Sequence, residues 1–213
     1  MEQSYDFPLF GCMAIIGSRG SGKTVLLINM LKSKLLQRYD IVHWISPTCL
    51  CPDQQELLSP LHLPQDSFHE EMEPTFLQDV IDNNKVNKKR ILLIMDDCAF
   101  STVGKTSWKH NTALNRLAAL GRHFHLGLIM LIQYTCNLSK SVRGNCDAFI
   151  TFRIDDLDEV KILYKEGGTS IVRRDFQAFV RLLDYATDEP HSYLVIDKRK
   201  RRAYKNDHWI PII

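Results

Sequence analysis

Eight consecutive residues, Gly17, Ser18, Arg19, Gly20, Ser21, Gly22, Lys23 and Thr24, satisfy the pattern G-x-x-x-x-G-K-[ST] at every position. Glycines at this spacing let the backbone curl so that successive N–H groups point into one concavity. A helix starting near Lys23 adds the positive end of its dipole to the same spot. Such a concavity recognises phosphate oxygens. Lys23 is placed to act as a point charge against β- and γ-phosphates, and the Thr24 hydroxyl to be one ligand of a Mg²⁺ that otherwise keeps water and phosphate oxygens. The expected ligands are therefore ATP and Mg²⁺.

A second constellation lies further along. The apolar run Ile91, Leu92, Leu93, Ile94, Met95 stops abruptly at Asp96 and Asp97. Asp96 is placed to hold Mg²⁺ opposite Thr24, and Asp97, one residue beyond, to orient and deprotonate a water attacking the γ-phosphate. Another apolar run, from Leu126 through Ile132, ends in the polar Gln133, which can hydrogen-bond that water or the γ-phosphate. Charge that develops on the γ-oxygens calls for an arginine. Arg143 and Arg122 are the candidates, each in a loop bordering the Gln133 strand or the one after it; the sequence places neither against its own subunit's phosphate, and one supplied by a neighbour would imply a ring. Arg19, inside the loop, can screen phosphate.

These residues need elements to hold them. Cys12, Met13, Ala14, Ile15 and Ile16 read as a buried strand, followed after the loop by a helix to about Arg38, and Ile41 through Ser46 as a second strand closed by Pro47. Residues 47–75 show no sustained period and read as an excursion leaving the sheet edge. A helix is expected from about Pro74 to Asn83, and an amphipathic one from Trp108 to Leu120. Further elements are a short helix or turn carrying Arg143, a strand from Ala148 to Phe152, and helices at 156–165 and 173–184. Two last strands, Tyr193 to Asp197 and Ala203 with Tyr204, predict a hairpin whose tip carries Lys198, Arg199, Lys200, Arg201 and Arg202. Strands apolar on both faces and separated by helices imply a parallel sheet covered on both sides, with ligands at the strands' carboxyl ends.

Composition sets the outer limits. The chain has 213 residues, 45% of them hydrophobic, enough for a full core in one α/β domain. No apolar run approaches a membrane span, and the N-terminus lacks a signal-peptide layout, so a soluble intracellular protein is expected. Six cysteines, four of them (Cys12, Cys98, Cys136, Cys146) in or beside core strands, fit reduced thiols. Cys49 and Cys51, with His43 and His62 nearby, form only a weak metal pattern. The net charge of +2 excludes a general polycation. Positive charge is local, in Lys85 with Lys88, Lys89 and Arg90, and in residues 198–202 with Lys205. The second run, at a hairpin tip, reads either as a solvated loop or, if the chain handles DNA, as a contact for its phosphates.

The combination of GSRGSGKT, ILLIMDD, Gly121-Arg122-His123 leading into the strand that ends in Gln133, and VRGNCDAFITF at 142–152 resembles the genome-packaging ATPases of large eukaryotic DNA viruses, the poxvirus-type branch of the FtsK–HerA superfamily. The likeness covers roughly residues 10–155. It implies an α/β fold, a three-layer P-loop NTPase (ASCE/RecA-like) with a mostly parallel central sheet, to which the strand pattern at 193–204 adds a C-terminal β-hairpin. Residues 1–213 would form a single P-loop ATPase domain, with C-terminal helices and the basic hairpin at about 156–213. The resemblance further implies a ring, hexamer or pentamer, that drives double-stranded DNA into a capsid and has capsid vertex proteins as partners. It also implies Gln133 as γ-phosphate sensor, an arginine acting across the subunit interface, and a place in the host cell's virus factory or nucleus and in the virion. Two departures stand out: Asp97 where the wider superfamily often has Glu, and Arg19 within the loop. The residues alone also admit a small P-loop kinase or switch-type NTPase acting on a soluble substrate, or a noncatalytic ATP-dependent assembly factor.

Overall fold

A run that is apolar at every position can be buried on both faces only when helices cover both sides of its sheet. In the computed structural model, which describes residues 5–71, 75–98, 111–206 and 208–210, three such runs form β1 (Cys12–Ile16), β4 (Ile91–Asp96) and β5 (Leu126–Ile132), buried throughout. They lie side by side in a nine-stranded sheet of order β3-β2-β4-β5-β1-β6-β7-β8-β9. Here β2 is Ile41–Ile45, β3 Phe68–His69, β6 Ala148–Thr151, β7 Leu194–Asp197, β8 Arg202–Lys205 and β9 His208–Ile210. The pairs from β3 through β6 are parallel, and those from β6 through β9 antiparallel.

The period of two along each strand divides the apolar side chains between two cores. Met13, Ile15, Ile94, Ile129 and Leu131 enter one, with Leu27 and Ile28 of α1 (Lys23–Met30) and Leu58 of α2 (Pro52–Leu58). Ala14, Ile16, Leu93, Met95 and Met130 enter the other. It is covered by α3 (Phe76–Asn87), α4 (Thr112–Leu120), α5 (Lys140–Asn145), α6 (Leu157–Leu163), α7 (Thr169–Val172) and α8 (Phe176–Ala186). The expected three-layer α/β architecture is present. Among the described residues no helix is long and apolar enough to cross a membrane.

Several expectations need adjusting. The excursion at 47–75 does not simply leave the sheet: it contains α2, and Phe68 and His69 return to extend the edge beside Trp44 and Ile45. A two-residue strand is too short to show a period. What holds it is His43 Nδ1 at 3.0 Å from His69 Nε2, with Phe76 against both rings. α3 runs four residues past its expected end, because Asn84 is buried and its amide carbonyl accepts from Lys89 N, 2.9 Å away, at the helix stop. The expected starts of two helices, Pro74 and Trp108, lie outside the described residues. Asn111 caps α4 by accepting from Leu114 N. The first helix continues past α1 through a π turn, Leu31–Leu35, and a 3-10 turn, Leu36–Arg38. The hairpin of β7 and β8 forms as expected, whereas β9 had no sequence signal.

Candidate functional site

β5 lies between β1 and β4, and this order brings three distant stretches together. All three strands are parallel, so the phosphate loop, the acid pair and Gln133 leave the sheet at the same end. Two backbone hydrogen bonds fasten them to the last residues of β5: Gly17 N to Ile132 O at 3.1 Å and Asp97 N to Leu131 O at 3.4 Å. Gly20 and Gly22 take φ of +78° and +103°, which side chains rarely adopt, and Gly22 then opens α1. α1 has no side-chain cap, so its first N–H groups are available to an anion.

Lys23 is buried, and its ammonium donates to Gly17 O at 2.8 Å and Ser18 O at 3.0 Å. Burial lowers its pKa, with the Asp97 and Asp96 charges acting the other way. Thr24 Oγ1 donates to Asp96 Oδ2 across 3.4 Å. Burial first, and then the Asp97 carboxylate, push the pKa of Asp96 up to about 6, against the pull of Lys23 and Thr24. The Thr24 and Asp96 oxygens fit Mg²⁺: an octahedron of oxygens roughly 2.1 Å from the metal has edges of about 3 Å. A cation there would also favour ionised Asp96. Asp97 is exposed and left-handed at φ +50°, a conformation aspartate tolerates, and Gln133 Nε2 donates to its Oδ1 at 3.4 Å. Arg19 is exposed in the loop.

On the loop's other flank only the strand ending at Phe152 was expected from the sequence. There Phe152, just past β6, lies beneath Gly17 and Gly22, and His191 Nδ1 is 3.0 Å from Ser21 O. His191 comes from the turn before β7, 170 positions away in the chain. Glu159 was also missed. It is buried in α6 and accepts from Thr135 N at 2.6 Å and Cys136 N at 3.3 Å, which anchors the segment after Gln133. A lone glutamate in a helix looks like a solvated residue, so no pattern would have found it.

The arginines and the basic run lie elsewhere. Arg122 is exposed on the turn Gly121–Phe124 at the amino end of β5, opposite the phosphate loop. β7 runs antiparallel to β6, so its last residue, Asp197, pairs with Ala148, and the basic turn also emerges at the amino end. Arg122, Arg199 and Asp147 line a cavity of about 280 Å³ there. Arg143 belongs to α5. Its guanidinium donates to Leu138 O and pairs with Glu166 at 3.2 Å, both within the same chain. Of the five basic residues, Lys198 turns onto the carbonyls of Gly144 and Arg143, and Arg202 stacks over Trp209. Arg199, Lys200 and Arg201 face solvent.

Comparison with known proteins gives consistent results. Residues 8–199 match the family described as Poxvirus A32 protein. The chain is 28% identical over 193 residues to the DNA packaging protein OPG160 of Vaccinia virus (strain Copenhagen), covering 87% of this chain and 68% of that protein. It is 26% identical over 203 residues to the uncharacterized protein L437 of Acanthamoeba polyphaga mimivirus, covering 88% and 67%. It thus spans about two thirds of the length of these relatives. Among solved structures, the genome packaging NTPase B204 of Sulfolobus turreted icosahedral virus 2, in complex with AMP, superposes with a TM-score of 0.65 at 18% identity, covering 97% of this chain and all of that one. The same protein in complex with AMPPCP gives 0.63 at 18% identity, over 97% and 100%.

Proposed function

The chain belongs to the Poxvirus A32 protein family, and we propose that it is an ATP-hydrolysing motor that moves double-stranded DNA, packaging a viral genome into a capsid. One observation carries the reading. Lys23, Thr24, Asp96, Asp97 and Gln133, from three separate stretches, meet at one end of the sheet in the arrangement phosphoryl transfer to water needs. Asp97 takes a proton from the attacking water as its oxygen bonds to the γ-phosphorus. The bond to the β–γ bridging oxygen breaks, leaving ADP and inorganic phosphate. Gln133, hydrogen-bonded to Asp97, orients that water or senses the γ-phosphate. Thr24 and Asp96 would hold Mg²⁺, which supplies positive charge against the phosphate oxygens. The vaccinia relative's name, DNA packaging protein, and the B204 complexes with AMP and AMPPCP support the same reading.

Arg122 lies at the far end of the sheet, so it can serve a phosphate only in another subunit. Repeated around an axis, that heterologous contact closes a ring of five or six. Arg143 would first have to leave Glu166; among the described residues no ion pair ties Arg122. Mixing subunits tests the shared site: Arg122→Ala or Arg143→Ala chains combined with Lys23→Ala chains should regain turnover. Mixed assemblies that form yet stay inactive would dismiss both arginines.

The primary experiment is phosphate release with and without duplex DNA. Stimulation by DNA is expected. Hydrolysis indifferent to DNA would point to a self-contained NTPase, and nucleotide binding without turnover to a noncatalytic assembly factor.

A further inference from the structure

The phosphate loop has two flanks. On the β5 and β4 side stand Gln133, Asp97 and Asp96; on the β6 and β7 side a cavity of about 330 Å³ opens against the loop. Its walls include Ser18 and Ser21 of the loop, Phe152 and Arg153 at the end of β6, and Glu189 and His191 of the turn before β7. A triphosphate whose γ end faces Asp97 must carry its α-phosphate, ribose and base toward the opposite flank, which is where the cavity lies. The volume falls at the lower end of the range for small-molecule sites.

The walls suit a flat aromatic ligand. The imidazole of His191 is exposed, and the 3.0 Å contact of Nδ1 with Ser21 O fixes its orientation beside the loop. His191 stands at φ +62°, a left-handed conformation held at its flank by Ser192 N to Glu189 O at 3.1 Å and Ser192 Oγ to Glu189 O at 2.7 Å. Arg153 offers a planar guanidinium, paired at the surface with exposed Asp155 at 2.9 Å. Glu189 supplies acceptor oxygens for ring or exocyclic N–H donors. The Ser21 hydroxyl, shielded from solvent, has no hydrogen-bond partner among the described residues, an orphan on the loop face that borders this cavity.

We propose that this cavity is the nucleobase pocket, taking the purine of the nucleoside triphosphate, with the His191 ring as a wall on which the base stacks. The inference rests on the reading of the phosphate loop as a nucleotide site. It adds a specificity-determining element that no sequence motif marks. Tyr193 packs against Phe152 with ring centroids 5.7 Å apart, so the wall behind the pocket is continuous with the core. The turn is also tied to β8: Lys205 donates to Asp188 at 2.6 Å, which fixes the loop that presents Glu189 and His191.

Binding of ATP and of inorganic tripolyphosphate, measured side by side, tests the assignment. His191→Ala should weaken ATP roughly tenfold, the scale of losing an aromatic face under a base, and change tripolyphosphate less than twofold. His191→Phe, which keeps a flat ring, should recover most of the loss. Equal losses for both ligands would mean that His191 acts on the loop alone and would overturn the proposal. On the unaltered chain, photolabelling with 8-azido-ATP should mark residues 152–153 or 187–192 and be blocked by ATP. ATP-protected labelling elsewhere would move the base out of this cavity while leaving the phosphate site standing. If neither ATP nor tripolyphosphate binds the unaltered chain, the nucleotide reading itself fails.

Discussion

The two ends of the sheet are built from different kinds of residue. At the carboxyl end Lys23 and Asp96 are each only 6% exposed, and hydrogen bonds to backbone or to Thr24 fix them. At the amino end Arg122, Arg199, Lys200 and Arg201 stand in solvent. β7, roughly 13 Å of strand, connects the two, with His191 before it beside the phosphate loop and Lys198 after it at the basic turn. Transferring a phosphoryl group requires donors and acceptors fixed before the reaction starts, so those groups sit on strand ends and inside the structure. Holding a polyanion without reading its sequence requires only accessible positive charge, which an exposed turn provides.

The largest expected effect is at the buried end. Lys23→Ala removes the point charge we propose to lie against the β- and γ-phosphates, and phosphate release should fall roughly 10³-fold or more whether DNA is present or not. If Lys23→Ala kept basal turnover and lost only its response to DNA, the division between a chemical end and a DNA end would collapse. Asp97→Asn comes next. It keeps the shape and removes the proposed base, so turnover should drop about 10²- to 10⁴-fold while nucleotide affinity stays within about twofold. Equal loss of affinity in both variants would reassign Asp97 to metal binding or folding.

The chemical end was legible because its residues follow rules that operate over a few positions. Gly20 and Gly22 mark positive φ, an apolar run marks a buried strand, and a polar residue directly after it marks a strand end. The meeting of Asp96, Gln133 and Lys23 followed once the strands were read as parallel. Less was legible where placement depends on pairing between remote segments. His191 has no local pattern that sends it to Ser21, and Phe68 with His69 form a strand only because β2 offers an edge. The basic run was readable as a hairpin tip. Which end of the sheet it occupies depends on β7 pairing antiparallel to β6, and no feature of residues 193–205 alone dictates that. Arg143 illustrates the same limit, since its pairing with Glu166 is set by how α6 and the following turn pack against α5.

The smallest expected effect on turnover, and the sharpest test of the contrast, lies at the basic turn. Lys198 and Arg202 are engaged with Gly144 and Trp209, so replacing them would disturb the hairpin as well as its charge. Arg199, Lys200 and Arg201 are the three to change together. Arg199 reaches Asp147 and the buried Asp197 only at 4.0 Å, and Asp197 Oδ1 keeps the backbone N–H groups of residues 199 and 200, each at 3.0 Å, whatever their side chains. Arg201 sits at φ +53°, where serine is no better suited than arginine, so backbone strain should be unchanged. The triple serine variant should therefore hydrolyse ATP at the unaltered basal rate. Its DNA affinity should fall, and the slope of log affinity against log salt should become shallower by about 0.9 for each phosphate no longer neutralised, close to 3 if all three side chains contribute. The weakening should be the same on duplexes of unrelated sequence, because charge on a turn reads backbone and not base edges. An unchanged salt slope in the presence of full DNA binding would return the run to a solvated loop, and would leave the cavity of Arg122 and Asp147 as the part of this end still to be tried.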